Sequence, residues 1–530
     1  MNVPWSSATG AAIGADWLLE AIAPAGDFGR RARAAERAFR FGDEAAARAA
    51  LQHVAAIADA VPAPRLAAVH EAIAAAPDPG AALVRAAGGG ILADADFFEL
   101  SRFLDSLTEV AALATGPLLA AVAPHEETVL RAELAPGRTL ERTFYLADAF
   151  SAELGAVRAA SAAAQARYDT ARARLAARVT HYAGLEHVRD GEFVLLRDRI
   201  VPPLVAEIRI IREAPTYLLC ELALDDAALK ALAERDRTLQ DVAAAEERTR
   251  AHLSMLVARA AAGLEDACRA LGALDTLVAR ARFVAQYQCT LPKIGTTAAV
   301  TTEDARYLPL VAALGARSRN YVPVSLAVDG IGIVTGPNMG GKTAALRTLG
   351  FVVACVALGV PVPASRARVP LVDEIVWLGV GTLPEDDGLL SAFGTEVVEL
   401  RSFLERRPVR PLVLIDEFAR TTSPREGRAL LIALVETLRD RGAFGLAATH
   451  FTGVAASANA PHYAVGGTRE LPRVNGLPLE LRAALERIAG STDYRLSRVD
   501  EGAVPKADAL ALADALGLDA AFVARARAAL

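Results

Sequence analysis

Two long stretches of helix-forming residues dominate the middle of the chain. One runs from about 147 to 185 and contains no proline, and a second runs from about 224 to 287. Between them, residues 188–222 carry β-like runs such as "TYLLCELAL". This order predicts two long helices joined by a small β element. The pair forms either an antiparallel arm or two Ala-rich core helices, and we favour the arm.

The hydrophobic pattern differs on either side of this region. Residues 1–145 show short helical segments separated by Pro and Gly. From about 290, short apolar runs alternate with helical segments, in "GIGIVTG", "EIVWLGVG", "PLVLIDE" and "FGLAATH". Strands that alternate with helices are typical of an α/β domain with a largely parallel sheet. An amphipathic helical pair, "ADALALADALGLDAAFVARARAAL", follows near the end of the sequence.

These patterns predict a multidomain protein: an all-α core and lever with a long antiparallel helical arm, followed by an α/β domain. The predicted regions are 1–145 for the N-terminal helical core, 146–289 for the lever or arm, and 290–530 for the α/β domain. The small β element falls at about 188–222, inside the arm. A length of 530 residues is ample for several domains with their own cores.

Composition and charge narrow the possible functions. With 57 Lys and Arg against 63 Asp and Glu, the net charge is −6, so no global basic field attracts nucleic acid. The cysteines are scattered without metal-binding spacing, which predicts reduced thiols in a cytosolic protein. The opening residues lack the pattern of a signal peptide, and no run approaches the roughly 18–20 apolar residues of a membrane span. We therefore expect a cytoplasmic protein without a membrane partner.

A glycine-rich loop separates the apolar run Ile331–Val334 from an amphipathic segment. Glycines let successive backbone N–H groups turn toward phosphates, and the following helix offers its positive N-terminus. Lys342 is expected to reach the β- and γ-phosphates, and the Thr343 hydroxyl is expected to bind Mg²⁺. The loop therefore predicts a nucleotide site. The residues that fit the phosphate-binding pattern G-x4-G-K-[ST] are Gly336, Pro337, Asn338, Met339, Gly340, Gly341, Lys342 and Thr343.

Two further motifs supply candidate catalytic groups. In "PLVLIDE", a buried strand over Leu412–Ile415 is predicted to carry Asp416 and Glu417 at its carboxyl end. Asp416 would complete the Mg²⁺ shell and Glu417 would act as base on the attacking water, although a solvated acidic turn is the alternative. "GLAATH" is predicted to be another strand. His450 after it is expected to sense the γ-phosphate or to position water, and a structural histidine is the alternative.

Together these motifs resemble the ATPase domain of the MutS superfamily, which is an ABC-type P-loop domain. The matching stretches are "TGPNMGGKT", "LVLIDEFARTTSPREG" and "AATH", and the Pro-Asn-Met inside the loop is unusually specific to that group. The stretch "RSRNYVPVSLAVDG" places Tyr321 where the family stacks an aromatic ring on adenine. The resemblance is strong over about 280–530 and traceable from about 85 through the arm. It implies ATP and Mg²⁺ as ligands.

The resemblance also implies a dimer. In the family, the serine that matches Ser391 reaches the nucleotide bound by the other subunit, so a composite ATP site in a homodimer is expected. The stretch from about 493 to 530 matches the family's helical dimerisation tail. "LPEDDGLLSAFGTEVVEL" resembles the family's signature segment and keeps Asp386, Asp387, Ser391, Phe393 and Glu396.

Departures from the family pattern leave the cargo of the arms open. We expect no mismatch-reading domain, and the β element is small for the family's DNA clamp. Two functions are therefore possible. One is a dimeric ATP-driven clamp on DNA, with mismatch-repair ancestry. The other is the ATPase component of a reactivase for a cobalamin-dependent amino-acid aminomutase of the lysine or ornithine type, which would grip a protein partner.

Overall fold

The structure is a computed structural model, and its described residues form helices and three separate sheets. By contacts, Met1–Ala75, Val110–Ala123 and Arg269–Leu530 form a first compact unit, and Ala76–Glu109 with Pro124–Cys268 form a second. The three-part division predicted from the sequence does not coincide with these units and stays a prediction. The residues that the structure describes are 1–114, 128–138, 143–186, 188, 192–316, 318–336, 341–379, 392–468, 492–499, 510, 513 and 518–529.

None of the described helices is both long and apolar enough to cross a membrane. In chain order the α-helices are α1 (Ser7–Ile13), α2 (Ala15–Ala21), α3 (Asp27–Ala35), α4 (Glu44–Ala60), α5 (Ala63–Ala75), α6 (Gly80–Ala87), α7 (Asp94–Leu113), α8 (Thr128–Leu134), α9 (Ala152–Ala183), α10 (Pro202–Val205), α11 (Asp226–Tyr287), α12 (Leu308–Gly315), α13 (Lys342–Ala357), α14 (Ala392–Arg406), α15 (Pro424–Asp440), α16 (Val454–Ser457) and α17 (Ala520–Ala528).

The strands fall into three sheets, with the orders β1-β3-β2, β13-β12-β7-β11-β10-β9 and β4-β8-β5-β6. In chain order they are β1 (Phe193–Leu196), β2 (Ile208–Glu213), β3 (Tyr217–Leu222), β4 (Lys293–Gly295), β5 (Ala299–Ala305), β6 (Val324–Asp329), β7 (Ile331–Thr335), β8 (Arg366–Pro370), β9 (Glu374–Gly379), β10 (Pro411–Asp416), β11 (Phe444–Ala448), β12 (His462–Thr468) and β13 (Thr492–Arg498).

The two long helices predicted from the sequence are confirmed as α9 and α11. Ser151 caps the start of α9 by accepting a hydrogen bond from the Leu154 N–H, and Gly184 ends it in the left-handed conformation. Within the second unit the two helices run antiparallel. As the residue number increases along α9, the residue number of its ion-pair partner on α11 decreases. The ion pairs are Glu153–Arg248 at 2.7 Å, Arg158–Glu246 at 2.8 Å and Arg167–Glu234 at 2.8 Å.

The predicted small β element is also confirmed, as the antiparallel sheet β1-β3-β2. One face of this sheet packs on the end of α9. The buried side chains of this small core include Val179 from α9, Leu195 from β1 and Leu218 from β3. Alternate residues of a strand point to opposite faces, so Val194 and Leu196 lie on the other face of the sheet.

The largely parallel sheet predicted after residue 290 is confirmed in the first unit. Strands β12, β7, β11, β10 and β9 are parallel to their neighbours, and β13 pairs antiparallel with β12 at one edge. Alternating side chains of β10 enter two separate cores. Leu412 and Leu414 face the core that contains α1 and α13, whereas Val413 and Ile415 face the core that contains α15. Helices therefore cover both faces, as a parallel sheet requires.

The first residues of the chain cover the other edge of this sheet. The N–H of Ile375 on β9 donates to the Pro4 carbonyl at 2.7 Å, and the N–H of Trp377 donates to Thr9 Oγ1 at 3.3 Å. An edge strand otherwise presents unpaired backbone groups, which promote unwanted pairing with other chains. The N-terminal segment thus contacts the α/β sheet directly.

The helical assignment at the start of the predicted tail is wrong. Residues Thr492–Arg498 form β13, which pairs with β12 through a β-bulge between Val465 and Gly467. In this stretch Tyr494 and Leu496 alternate with polar residues, which is the period of a strand. Helix is observed further along, at Ala520–Ala528.

The contact between α1, α13 and β10 predicts a specific packing requirement at Gly350. A methyl group there would lie 2.6 Å from Ile13 and 2.8 Å from Leu414, both fully buried. We expect Gly350→Ala to lower the free energy of unfolding by about 1–3 kcal/mol through overpacking. The measurement is the midpoint of urea denaturation.

Gly315 on α12 is the matched control, because a methyl group there would meet nothing within 4 Å. Gly315→Ala is expected to be neutral or stabilising by up to about 1 kcal/mol, as in an open helical position. Equal destabilisation by both substitutions would contradict the packing account.

Candidate functional site

The glycine-rich loop connects the end of β7 to the start of α13. Gly341 is the N-cap of α13 with φ +94°, a left-handed conformation that favours glycine. Lys342 and Thr343 are the first two residues of the helix, so both lie at its N-terminus. This end of a helix carries unpaired N–H groups and partial positive charge, which suits phosphate. Gly336 and Gly341 are described, whereas Pro337, Asn338, Met339 and Gly340 lie outside the described residues.

Lys342 is a buried lysine with oxygen atoms around its ammonium group. Its residue is 5% exposed, and Nζ donates to the Gly336 carbonyl at 2.8 Å. Nζ also lies 3.7 Å from Glu417 Oε1. Burial lowers the pKa of the ammonium, while the carboxylates of Glu417 and Asp416 act in the opposite direction. The strand-loop-helix geometry thus holds a positive charge inside the protein at the loop.

Thr343 and Asp416 meet directly at the other side of this cluster. The Thr343 hydroxyl donates to Asp416 Oδ2 at 3.0 Å, with Oδ1 at 3.2 Å. Burial raises the pKa of the Asp416 carboxyl, and the hydrogen bond from Thr343 opposes that change. A hydroxyl and a carboxylate are hard oxygen donors of the kind that Mg²⁺ uses together with water and phosphate oxygens. The residues present therefore fit a magnesium ion.

Glu417 lies between two cations in a left-handed backbone conformation. Its φ is +54°, and its carboxylate contacts Lys342 at 3.7 Å and Arg420 Nη1 at 3.3 Å. A non-glycine residue rarely adopts positive φ without being held there by its surroundings. Here the Glu417 N–H donates to the Ala448 carbonyl at 3.0 Å. That bond ties the turn after β10 to the end of β11.

His450 follows the same end of β11, but its side chain is exposed. The N–H of Thr449 donates to the Val334 carbonyl at 3.0 Å, which joins the end of β11 to β7. The ring of His450 packs against Phe451, with ring centroids 4.3 Å apart. The structure thus places His450 two residues after Ala448, at the same edge of the sheet as Glu417. Its action on a γ-phosphate or a water stays a prediction.

Tyr321 is anchored beside α13. Its hydroxyl accepts a hydrogen bond from the Tyr307 N–H at 3.1 Å and lies 3.5 Å from Thr348 Oγ1. The Tyr321 side chain is half-buried, and its hydroxyl end is held close to Thr348. Thr348 belongs to α13, the helix that begins with Lys342. Stacking on adenine stays a prediction. Ser391, which the resemblance assigns to a second subunit's nucleotide, lies outside the described residues.

Three residues near the cluster were given no role from the sequence. Arg420 contacts Glu417. Its position three residues after Glu417, in "DEFAR", is the sequence feature from which this contact could have been predicted. Arg347 lies one helical turn after Thr343, and its charge opposes the rise in the pKa of Asp416 that burial causes. Glu396 accepts a hydrogen bond from the Ala419 N–H at 2.8 Å. That contact joins α14 to the turn after β10, and helix periodicity alone does not predict it.

Comparison with known proteins finds a family match that covers the residues of this site. Residues 332–529 match the family described as MutS domain V. An endonuclease MutS2 of Halothermothrix orenii is 33% identical over 192 residues, 36% of this chain and 23% of that protein. A DNA mismatch repair protein MutS of Anaeromyxobacter dehalogenans is 30% identical over 312 residues, 56% of this chain and 34% of that protein. Another MutS, of Natronomonas pharaonis, is 34% identical over 265 residues, 48% of this chain and 30% of that protein.

In each of these comparisons the match spans about a third or less of the relative's length. The matched stretch includes Lys342, Thr343, Asp416 and Glu417, which the structure brings together. The resemblance predicted from the sequence motifs is confirmed by this match. Residues 332–529 therefore match a MutS domain V, and this match supports membership of the MutS superfamily.

Proposed function

We propose that this protein is an ATP hydrolase with an ABC-type P-loop site of the MutS kind. One observation carries the proposal. A buried ammonium, a hydroxyl and two carboxylates meet where β7 and β10 end, at the N-terminus of α13. This is the set of groups that binds a nucleoside triphosphate with magnesium and hydrolyses it. Membership of the superfamily supports the same activity.

In the proposed reaction, the backbone of residues 336–341 and the ammonium of Lys342 hold the phosphates. Thr343 and Asp416 would hold Mg²⁺, which neutralises charge on the phosphate oxygens when it is bound. Glu417 accepts a proton from the water that attacks the γ-phosphate. Lys342 Nζ lies 3.7 Å from the Glu417 carboxylate, and Arg420 Nη1 lies 3.3 Å from it. His450 assists by positioning that water.

We further propose that two copies of the chain complete each other's nucleotide sites. The support is the superfamily resemblance of the segment that carries Ser391, and the dimeric arrangement that this resemblance implies. Tyr321 would stack on the adenine of the nucleotide held by its own chain. The proposed setting is the cytoplasm.

The base assignment predicts the effect of changing Glu417. Glu417→Gln keeps the shape of the side chain but removes the proton acceptor, so ATP turnover should fall at least about 100-fold. Binding of ATP should be retained, because Lys342 and the loop remain. Steady-state phosphate release and fluorescence titration with an ATP analogue measure the two quantities.

Glu426→Gln is the matched control. Glu426 lies in the first turn of α15, where Ser423 is the N-cap, and glutamine serves equally well in such a capping box. Normal turnover by Glu417→Gln would refute the base assignment.

Mixing Glu417→Gln subunits with Ser391→Ala subunits tests the composite site, since a mixed dimer keeps one intact site. Turnover above that of either variant alone is expected, and its absence would refute the shared site.

A second candidate function concerns the cargo of the second unit. The outer face of sheet β1-β3-β2 exposes Val194, Leu196 and Tyr217, at 52%, 47% and 39%. Two arginines of this sheet region are paired, Arg197 with Glu213 at 2.7 Å and Arg209 with Glu221. Apolar surface with neutralised arginines suits a protein better than a phosphate backbone. This favours a protein-remodelling ATPase, such as the aminomutase reactivase, over a DNA clamp.

The two cargo hypotheses predict different stimulation of ATP turnover. A protein partner should stimulate turnover when a cobalamin-dependent aminomutase is added, and mismatched, branched or homoduplex DNA should have little effect. Replacing Val194 by Asp should weaken stimulation by the protein, because a charge on the apolar face must then be desolvated. Strong stimulation by DNA that falls steeply with salt would instead support the clamp.

A further inference from the structure

Glu396 is a buried carboxylate near the proposed site, and it contacts the turn that follows β10. It lies in the first turns of α14, is 4% exposed, and accepts a hydrogen bond through Oε2 from the Ala419 N–H at 2.8 Å. Its other oxygen, Oε1, is buried and finds no hydrogen-bond partner among the described residues. Such an arrangement costs stability, so the contact with Ala419 must serve a purpose that an apolar side chain would not.

The contact is made to a strained turn. Glu417 has φ +54° and Ala419 has φ +60°, so two non-glycine residues on either side of Phe418 are in the left-handed region. Phe418 and Ala419 are buried in the core beneath α14 and α15, at 2% and 0% exposure. Left-handed alanine lacks the local hydrogen bonds that stabilise asparagine or aspartate in this conformation. Something outside the turn has to hold it.

Two hydrogen bonds join the turn to other elements of the fold. The Glu417 N–H donates to the Ala448 carbonyl at 3.0 Å, and the Ala419 N–H donates to Glu396. The first bond belongs to the parallel sheet, and the second is supplied by a side chain from a separate helix. A charge-assisted bond to a carboxylate is about twice as strong as a neutral one. Burial raises the pKa of the Glu396 carboxyl, and the Ala419 N–H and the charge of Arg420 oppose this change.

We propose that Glu396 is a positioning residue for Glu417. By accepting the Ala419 N–H, it keeps the turn after β10 in the left-handed conformation that directs the Glu417 carboxylate toward Lys342 and the loop. The inference rests on the proposed hydrolysis of ATP and adds a residue that acts on the base without contacting the nucleotide. It also gives α14, which carries the second half of the signature segment, a direct contact with the turn that carries the base.

The test separates the rate of turnover from the binding of ATP. Glu396→Met keeps a side chain of similar length but removes the acceptor, so kcat should fall about 10–100-fold, as expected for a misplaced catalytic group. The dissociation constant for a fluorescent ATP analogue should change by less than about threefold, because Lys342 and the loop are untouched. Glu396→Gln keeps an acceptor oxygen and should retain kcat within about threefold.

Two further variants keep the proposal falsifiable. Glu405 lies on the exposed end of α14 and pairs with Arg401 at 2.8 Å, so Glu405→Met should leave kcat unchanged. Adding Ala419→Gly to Glu396→Met should recover part of kcat, since glycine adopts positive φ without strain. A Glu396→Met protein with normal kcat, or one that loses ATP binding and stability in proportion to kcat, would overturn the proposal. Loss of turnover in Glu396→Met but not in Glu417→Gln would instead refute the base assignment.

Discussion

Parallel pairing of β7, β11 and β10 is the constraint on which the site depends. In the sheet register Asp416 lies opposite Ala448, and Ala448 lies opposite Val334. The carboxyl ends of these strands therefore meet at one edge, although Val334 and Asp416 are far apart in the chain. The backbone hydrogen bonds of this register bring the loop after β7 close to the carboxylates after β10. Side-chain chemistry at this edge follows from the register.

The groups at this edge are kept in unfavourable states by the fold around them. Lys342 is buried, Asp416 is partly buried, and Glu417 has a left-handed backbone. Each state costs stability, and the two cores on either side of the sheet offset that cost. Strain and buried charge concentrated at one edge are typical of functional sites rather than of structural ones. The exposed His450 differs from the others in this respect.

Local pattern predicted much of this molecule, because helices and strands depend on neighbouring residues. The absence of proline over 147–185 predicted α9, and short apolar runs predicted β7, β10 and β11. The glycine-rich loop and "IDE" predicted the site residues because their backbone requirements are local. The strand at Thr492–Arg498 was missed because it depends on pairing with β12. The contact between Thr9 and Trp377 spans most of the chain, and no local pattern encodes it.

The central claim is that Thr343 and Asp416 form the metal-binding half of an ATP-hydrolysing site. The most direct measurement is the Mg²⁺ concentration needed for half-maximal ATP turnover by Thr343→Ser and Thr343→Val. Serine keeps the hydroxyl and should resemble the unmodified protein. Valine keeps the shape without the hydroxyl and should raise the required concentration at least about tenfold. Identical magnesium dependence in both variants would contradict the account.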